Sequence, residues 1–288
     1  MRRWVGRRRA IGAAAVVVLG ATGVVLGVAA PAHAAIPGHE FVSNGSGWSS
    51  SSVKSAVVTC PAGKNVIGTG WSIGTTSNDI HVAEVRPTAT TVTVVAYEDQ
   101  DGYTGDWSVT AEAVCADPLS GWEIVSATTV ATTTAADRVM LAVCSAGKQV
   151  LGAAGEVVGG GGQVLLDGVV PYTNSVAVSG HTDGWGSTNI WNLRAYAICA
   201  DPVPGHQIVL DYSGTTTADK SNTASCPAGT SALGGGAVVI PNDGKVSIRS
   251  MSPGAYAGTH FVSTYGMEDD LGWSTYWRVD AYAICATT

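Results

Sequence analysis

The stretch Trp107-Ser108-Val109-Thr110-Ala111-Glu112-Ala113-Val114-Cys115-Ala116 decides the fold. Trp107, Val109, Ala111, Ala113 and Cys115 recur at every second residue, which puts them on one face of a β-strand. The same pattern returns as Trp191, Leu193, Ala195, Ala197, Cys199 and as Trp277, Val279, Ala281, Ala283, Cys285. Small alanines beside each cysteine predict close approach of a facing strand.

Outward from this strand, the whole chain repeats three times. Its six cysteines fall in the pairs Cys60 and Cys115, Cys144 and Cys199, Cys226 and Cys285. Measured from the first cysteine of each pair, Gly63, Gly147 and Gly229 stand at one offset. Gly68, Gly152 and Gly234 stand at a second, and Pro87, Pro171 and Pro253 at a third. Lys54, Arg138 and Lys220 precede it at a fixed distance. Measured from the second cysteine, Trp107, Trp191 and Trp277 align, as do Asp99, Asp183 and Asp269. The third copy is four residues longer than the others, and Gly254-Ala255-Tyr256-Ala257-Gly258 reads as an expanded turn.

These offsets divide the chain into residues 35–117, 118–202 and 203–288, after an export segment 1–34. In the first repeat the strand candidates are Glu40–Ser43, Val53–Cys60, Val66–Ile73, Ile80–Arg86, Val92–Tyr97 and the tryptophan strand. Turn-forming segments occupy one slot in all three copies: Thr75–Asn78, Gly159–Gly162 and Pro241–Gly244. No long segment carries a helical stripe. The prediction is an all-β protein of three tandem antiparallel β modules. Joints such as Cys115-Ala116-Asp117-Pro118 and Cys199-Ala200-Asp201-Pro202 contain no flexible Gly/Ser tract, so the modules should pack with pseudo-threefold symmetry.

The export segment carries Arg2, Arg3, Arg7, Arg8 and Arg9, an apolar run from Ala10 to Ala30, and the A-x-A site Ala32-His33-Ala34. Arg7-Arg8-Arg9 leaves the general secretory and twin-arginine routes both open. Removing these five arginines from a net charge of −7 leaves −12. Such an acidic chain, with no basic run, is a poor partner for nucleic acid or anionic lipid. No second long apolar run follows, so no membrane span is expected after cleavage. Charged residues make up only 13% and hydrophobic ones 45%, which excludes a disordered chain. Export supplies an oxidising environment, and the repeat favours one disulfide inside each copy: Cys60–Cys115, Cys144–Cys199 and Cys226–Cys285. The clustered spacings of a cysteine metal site are absent.

Cys60-Pro61-Ala62-Gly63-Lys64-Asn65-Val66-Ile67-Gly68-Thr69-Gly70 and Ala195-Tyr196-Ala197-Ile198-Cys199-Ala200 resemble a C-P-x-G-K-x-V-x-G-x-G … A-Y-A-I-C-A module. That module is found in secreted, largely uncharacterised actinobacterial proteins, and similar single copies end collagen-like and tail-fibre-like proteins. The resemblance covers the chain from residue 35 onward, three times over. It departs at Glu112, where Tyr196 and Tyr282 stand in the other copies, and at Thr230, where Lys64 and Lys148 stand. The resemblance implies a secreted β module with a binding or structural role, and it supplies no catalytic residues. By architectural analogy with lectins and an egg-membrane protein, the threefold packing is expected to be β-prism-like.

Gly70-Trp71-Ser72-Ile73-Gly74 matches G-x-S-x-G, but a nucleophile elbow needs a helix after the serine, and a turn and a strand follow here. Ser72 is Glu156 and Val238 in the other copies. The histidines His39, His81, His181, His206 and His260 have no metal-ligand spacing and read as surface residues at unrelated repeat positions. Gly159–Gly162 opens no helix and is therefore no phosphate cradle. Glu98, Asp99, Asp101 and Asp106 partly match a Ca²⁺ loop but lack the distal bidentate glutamate, so a solvated acidic loop is preferred.

The candidate ligand-binding residues lie in that loop and its two counterparts: Asp99 with Tyr103, Asp183 with Trp185, and Asp269 with Trp273. A ring covers the apolar face of a sugar and a carboxylate accepts from its hydroxyls. The same residues would also serve as turn formers and strand-end covers, or as partners of Lys54, Arg138 and Lys220. The sequence therefore predicts a secreted, non-enzymatic protein that needs no cofactor and recognises a glycan or cell-wall polymer through repeated loops. The alternative is a structural or protein-interaction module.

Overall fold

The computed structural model describes residues 35–131, 137–269 and 272–288; the export segment expected at 1–34 lies outside them. The described residues form no helix, and none is long and apolar enough to cross a membrane. Six strands arise in each sequence repeat. The first has β1 (Glu40–Gly45), β2 (Val53–Thr59), β3 (Asn65–Gly74), β4 (Ile80–Pro87), β5 (Thr91–Glu98) and β6 (Ser108–Ala116). The second has β7 (Glu123–Thr128), β8 (Asp137–Val143), β9 (Gln149–Gly159), β10 (Val164–Pro171), β11 (Ser175–Thr182) and β12 (Trp191–Ala200). The third has β13 (Gln207–Tyr212), β14 (Lys220–Ser225), β15 (Ser231–Ile240), β16 (Val246–Tyr256), β17 (Thr259–Glu268) and β18 (Arg278–Ala286).

The sheets do not follow the repeats. Each of the three six-stranded sheets takes half its strands from one repeat and half from another, in the orders β1-β6-β3-β16-β17-β14, β13-β18-β15-β10-β11-β8 and β2-β5-β4-β9-β12-β7. The third strand of each repeat pairs with the fourth strand of the preceding one, cyclically. These seams are short. They pair Ser250 with Ser72 and Met251 with Trp71, Gly168 with Val238 and Val169 with Ala237, and Glu84 with Glu156. A β-bulge stands just before each seam, at Arg249, Asp167 and Ala83. A bulge bends and twists its strand, which is what turns the fourth strand out of its own repeat toward its neighbour.

A second set of bulges lies at Ile67, Leu151 and Leu233. These three side chains leave the ladder and join Ile36, Val114, Ala116, Ala200 and Ala286 in an apolar plug at one end. The next residue in each strand is Gly68, Gly152 or Gly234, and the three meet on the pseudo-threefold axis. A Cβ on Gly68 would overlap the Leu233 carbonyl oxygen and stand 2.8 Å from Gly234 Cα. Nothing larger than glycine fits at this approach. Further along the axis, Thr69 donates to the Ala153 carbonyl at 2.7 Å. Trp71 is buried with its indole N–H donating to the Ile248 carbonyl at 3.4 Å, where the other two repeats have Gly155 and Ala237.

The tryptophan strands supply the core as their period-two face predicts. Trp107, Trp191, Trp277 and the alternate residues after them are buried, and one apolar cluster runs through all three repeats. The disulfides are Cys60–Cys115, Cys144–Cys199 and Cys226–Cys285. Each joins the end of a repeat's second strand to its sixth, and those strands lie in different sheets. The three bonds thus tie the three sheets into a closed ring. Ile36 N–H donates to the Thr287 carbonyl at 3.0 Å, which joins the segment before β1 to the segment after β18 beside the plug.

The expanded turn expected at Gly254–Gly258 is mostly strand. β16 continues to Tyr256 and β17 begins at Thr259. Only Ala257 and Gly258 turn the chain, with φ of 49° and 81°. Positive φ at both residues matches the twist of the flanking strands, so the extra residues lengthen the hairpin instead of loosening it.

Candidate functional site

The loops after the fifth strand of each repeat gather at the end of the axis opposite the apolar plug. One contact is made three times: the amides of Asp99, Asp183 and Asp269 donate to the carbonyls of Asp79, Gln163 and Lys245 at 2.8, 3.0 and 2.9 Å. Gly162 of the second repeat presses on the Glu98 carbonyl of the first, and Gly244 of the third on the Thr182 carbonyl of the second. The loops interlock, and the three predicted aspartates stand within electrostatic reach of one another. Burial pushes the Asp183 carboxyl up to about 6; the amides of Trp185 and Gly186 pull it down, and Asp99 and Asp269 push it further up.

The carboxylates are less open than a simple sugar site requires. Asp99 Oδ1 accepts from the amides of Asp101 and Gly102 at 2.9 and 3.3 Å, and its side chain is 7% exposed. Asp183 Oδ1 accepts from Trp185 N–H at 3.1 Å. Both acids shape their turns. Gln100 reaches across from the first repeat. With its amide oriented to suit its neighbours, it donates to Asp183 Oδ2 at 2.9 Å and accepts from Trp185 Nε1 at 3.2 Å. The predicted aromatic partners divide. Trp185 is 59% exposed. Tyr103 folds over Gly105 and packs on the core, and Trp273 is half-buried there with its amide donating to Glu268 at 3.2 Å.

The structure adds exposed apolar side chains that sequence reasoning missed. Tyr276, 68% exposed, and the exposed Ile190 stand directly before the repeat tryptophans, and Trp48 lies beside Gly74 at the same end. The signal was positional: Asp106, Ile190 and Tyr276 share one offset, but their types differ too much to register as a repeat.

Lys54, Arg138 and Lys220 serve the tryptophans. Their cations lie 5.1, 4.5 and 3.5 Å from the ring centroids of Trp107, Trp191 and Trp277, which explains why the two offsets recur together. Lys54 also donates to Ser49, Arg138 to the Val130 carbonyl, and Lys220 to the Thr216 and Trp277 carbonyls. Glu98 accepts the Trp107 indole N–H at 3.0 Å, and Glu268 that of Trp277 at 2.6 Å. The second repeat has Thr182 at this position, and the Trp191 indole N–H has no partner among the described residues. Glu98 is thus committed to a structural bond and is not free to complete an ion loop. Among the described residues, no three of His, Cys, Asp and Glu converge as metal ligands.

Two corrections concern the histidines. His81 is buried, 3% exposed, with Nε2 3.6 Å from Asp99 Oδ2. Burial, assisted by the nearby Arg249 charge, lowers its pKa against the pull of Asp99, so it is neutral at pH 7. His39 and His206 do share a repeat position, with Trp122 as the third member. Their ring N–H groups and that of Trp122 donate to the equivalent carbonyls of Ala232, Val150 and Val66 at 2.9, 2.7 and 2.9 Å. Ser72 lies within β3, opposite Thr110 and Ser250, where the strand runs on and no elbow forms. No protein-family model matches the chain, and no curated protein is significantly similar to it.

Proposed function

We propose that the chain is an exported, non-enzymatic binding protein that recognises a glycan or cell-wall polymer at the end of the axis where its three loops meet. The observation that carries this reading is convergence. The loops of Asp99, Asp183 and Asp269 form one surface, rimmed by the exposed Trp185, Tyr276 and Trp48. One composite surface with several rings offers stacking planes for consecutive sugar units, which single scattered loops would not. Trp185 contributes most, since its ring is open and its N–H is held by Gln100. The reading is tested by retention on chitin, cellulose and cell-wall pellets. Wild-type protein should be retained and eluted by the matching free oligosaccharide, and W185A should be retained much less. Failure to bind all three materials, or equal retention of W185A and W273A, contradicts it.

The second reading, a structural or protein-interaction module, is favoured by the hydrogen bonds that commit Asp99 and Asp183 to their own turns. It predicts no retention on any polysaccharide.

A further inference from the structure

The three seams between repeats carry different side chains at one outward position beside the second cysteine. Three residues before each second cysteine stand Glu112, Tyr196 and Tyr282. At the seam of β9 with β4, the Tyr196 hydroxyl donates to Glu156 at 2.6 Å and accepts from Arg194 at 3.2 Å, so the outer face is filled and its charges are paired. Tyr282 occupies the corresponding place beside β15. At the seam of β3 with β16 the shorter Glu112 leaves a cavity of about 210 Å³, walled by Phe41, Ser43, Ser252 and Pro253. Glu112 Oε1 accepts from the Ser252 hydroxyl at 3.0 Å. A Cβ on Gly70 would stand 2.9 Å from Oε2, so the glycine makes room for the carboxyl.

This carboxyl faces no counter-charge among the described residues. Its cross-strand neighbours are Ser43 and Gly70, and Ser252 and Pro253 stand across the seam. Of the other charged groups on these strands, Glu40 is paired with Lys64, and Arg249 points inward to the Ile80 carbonyl. His39 and His260 lie behind the Phe41 ring, at 5.0 and 5.9 Å between centroids, and burial lowers the pKa of both. Burial pushes the Glu112 carboxyl up to about 7, against the Ser252 bond.

A partly buried acid with an open oxygen, beneath an aromatic and a proline wall, is complementary to a small organic cation. We propose that this cavity binds a primary ammonium or guanidinium group, with the Glu112 carboxylate as its counter-ion and Phe41 and Pro253 as its apolar walls. The site is separate from the loop end and does not depend on glycan recognition there. The cation binds the ionised acid, so binding below the carboxyl's pKa must displace its proton.

The test is calorimetric titration of the intact protein with ethylammonium chloride and with methylguanidinium chloride. At least one probe should bind roughly tenfold more tightly near pH 8 than near pH 6, the change in the ionised fraction of an acid titrating at about 7. E112Y installs the residue of the other two seams and should abolish binding. E112Q keeps the shape, loses the charge and should also abolish it, which covers the case in which E112Y folds poorly. Absence of binding near pH 8 for both probes, equal affinity at the two pH values, or unchanged binding by E112Q overturns the proposal.

Discussion

Gly152 rests on Gly68 at the centre of the molecule: a Cβ on Gly152 would stand 2.8 Å from the Gly68 Cα. These residues belong to different repeats, and Gly234 completes the contact from the third. G68A should therefore cost roughly 3 kcal/mol or more, since the colliding atoms are backbone and cannot swing away. G45A is the control. Its Cβ would come no closer than 3.9 Å to Thr110 or Val109, and its effect should stay within about 0.5 kcal/mol. Urea unfolding of both variants decides; a wild-type midpoint for G68A would remove the axial contact from the account.

The unpaired indole of Trp191 gives a prediction of the opposite sign. T182E places in the second repeat the acceptor that Glu98 and Glu268 provide in the others, and should stabilise the protein by about 1 kcal/mol. E268A, which strips the acceptor from Trp277, should destabilise it by about 1–3 kcal/mol. Thermal unfolding of the two variants in parallel checks both signs.

Asp167 sets a pH dependence. It is buried at a bulge and bonded by Ser179 at 2.6 Å, and burial pushes its carboxyl up to about 6 against the Ser179 and Asn242 bonds. A raised acid binds its proton more tightly folded than unfolded. Its contribution to stability is therefore complete below about pH 4 and lost as pH rises through about 6. D167N carries no such proton. Its stability relative to wild type should increase between pH 4 and 7, by at most about 3 kcal/mol. Denaturant titrations across that range should show the two curves diverging; parallel curves would contradict the assignment.

The disulfides should act on the whole molecule. Cys60 and Cys115 lie 55 positions apart in sequence and join two sheets, so replacing both by alanine should cost about 4 kcal/mol in the chain-entropy model. Because each sheet is shared, the loss should lower one common unfolding transition. Scanning calorimetry of the double variant is the check, and a new early transition confined to the first repeat would count against shared sheets.

The strands were legible in the sequence because alternation is local. The faces of Trp107–Cys115 and its two copies, the six-strand content of a repeat and the pairing of cysteines all follow from spacing. Strand partnership was not legible. Alternation says which face of β4 is buried, yet nothing local distinguishes pairing with β3 from pairing with β9. The bulges at Ala83, Asp167 and Arg249 make that choice, and these three residues share no chemistry that would reveal them. The same holds at the axis. The offset of Gly68, Gly152 and Gly234 was plain, but their meeting is a property of the closed ring. His39, Trp122 and His206 perform one task with two kinds of ring, so the repeat hides among different letters. At the loop end the aspartates were found and their mutual proximity was not, because it arises only when three loops from three repeats close together.

The most direct measurement is nuclear Overhauser contact across the seams in the folded protein. The account predicts backbone contacts between Trp71 and Met251, between Glu84 and Glu156, and between Val169 and Ala237. An antiparallel backbone ladder that instead pairs the third and fourth strands of the same repeat, β3 with β4, β9 with β10 and β15 with β16, would show three self-contained modules and contradict it.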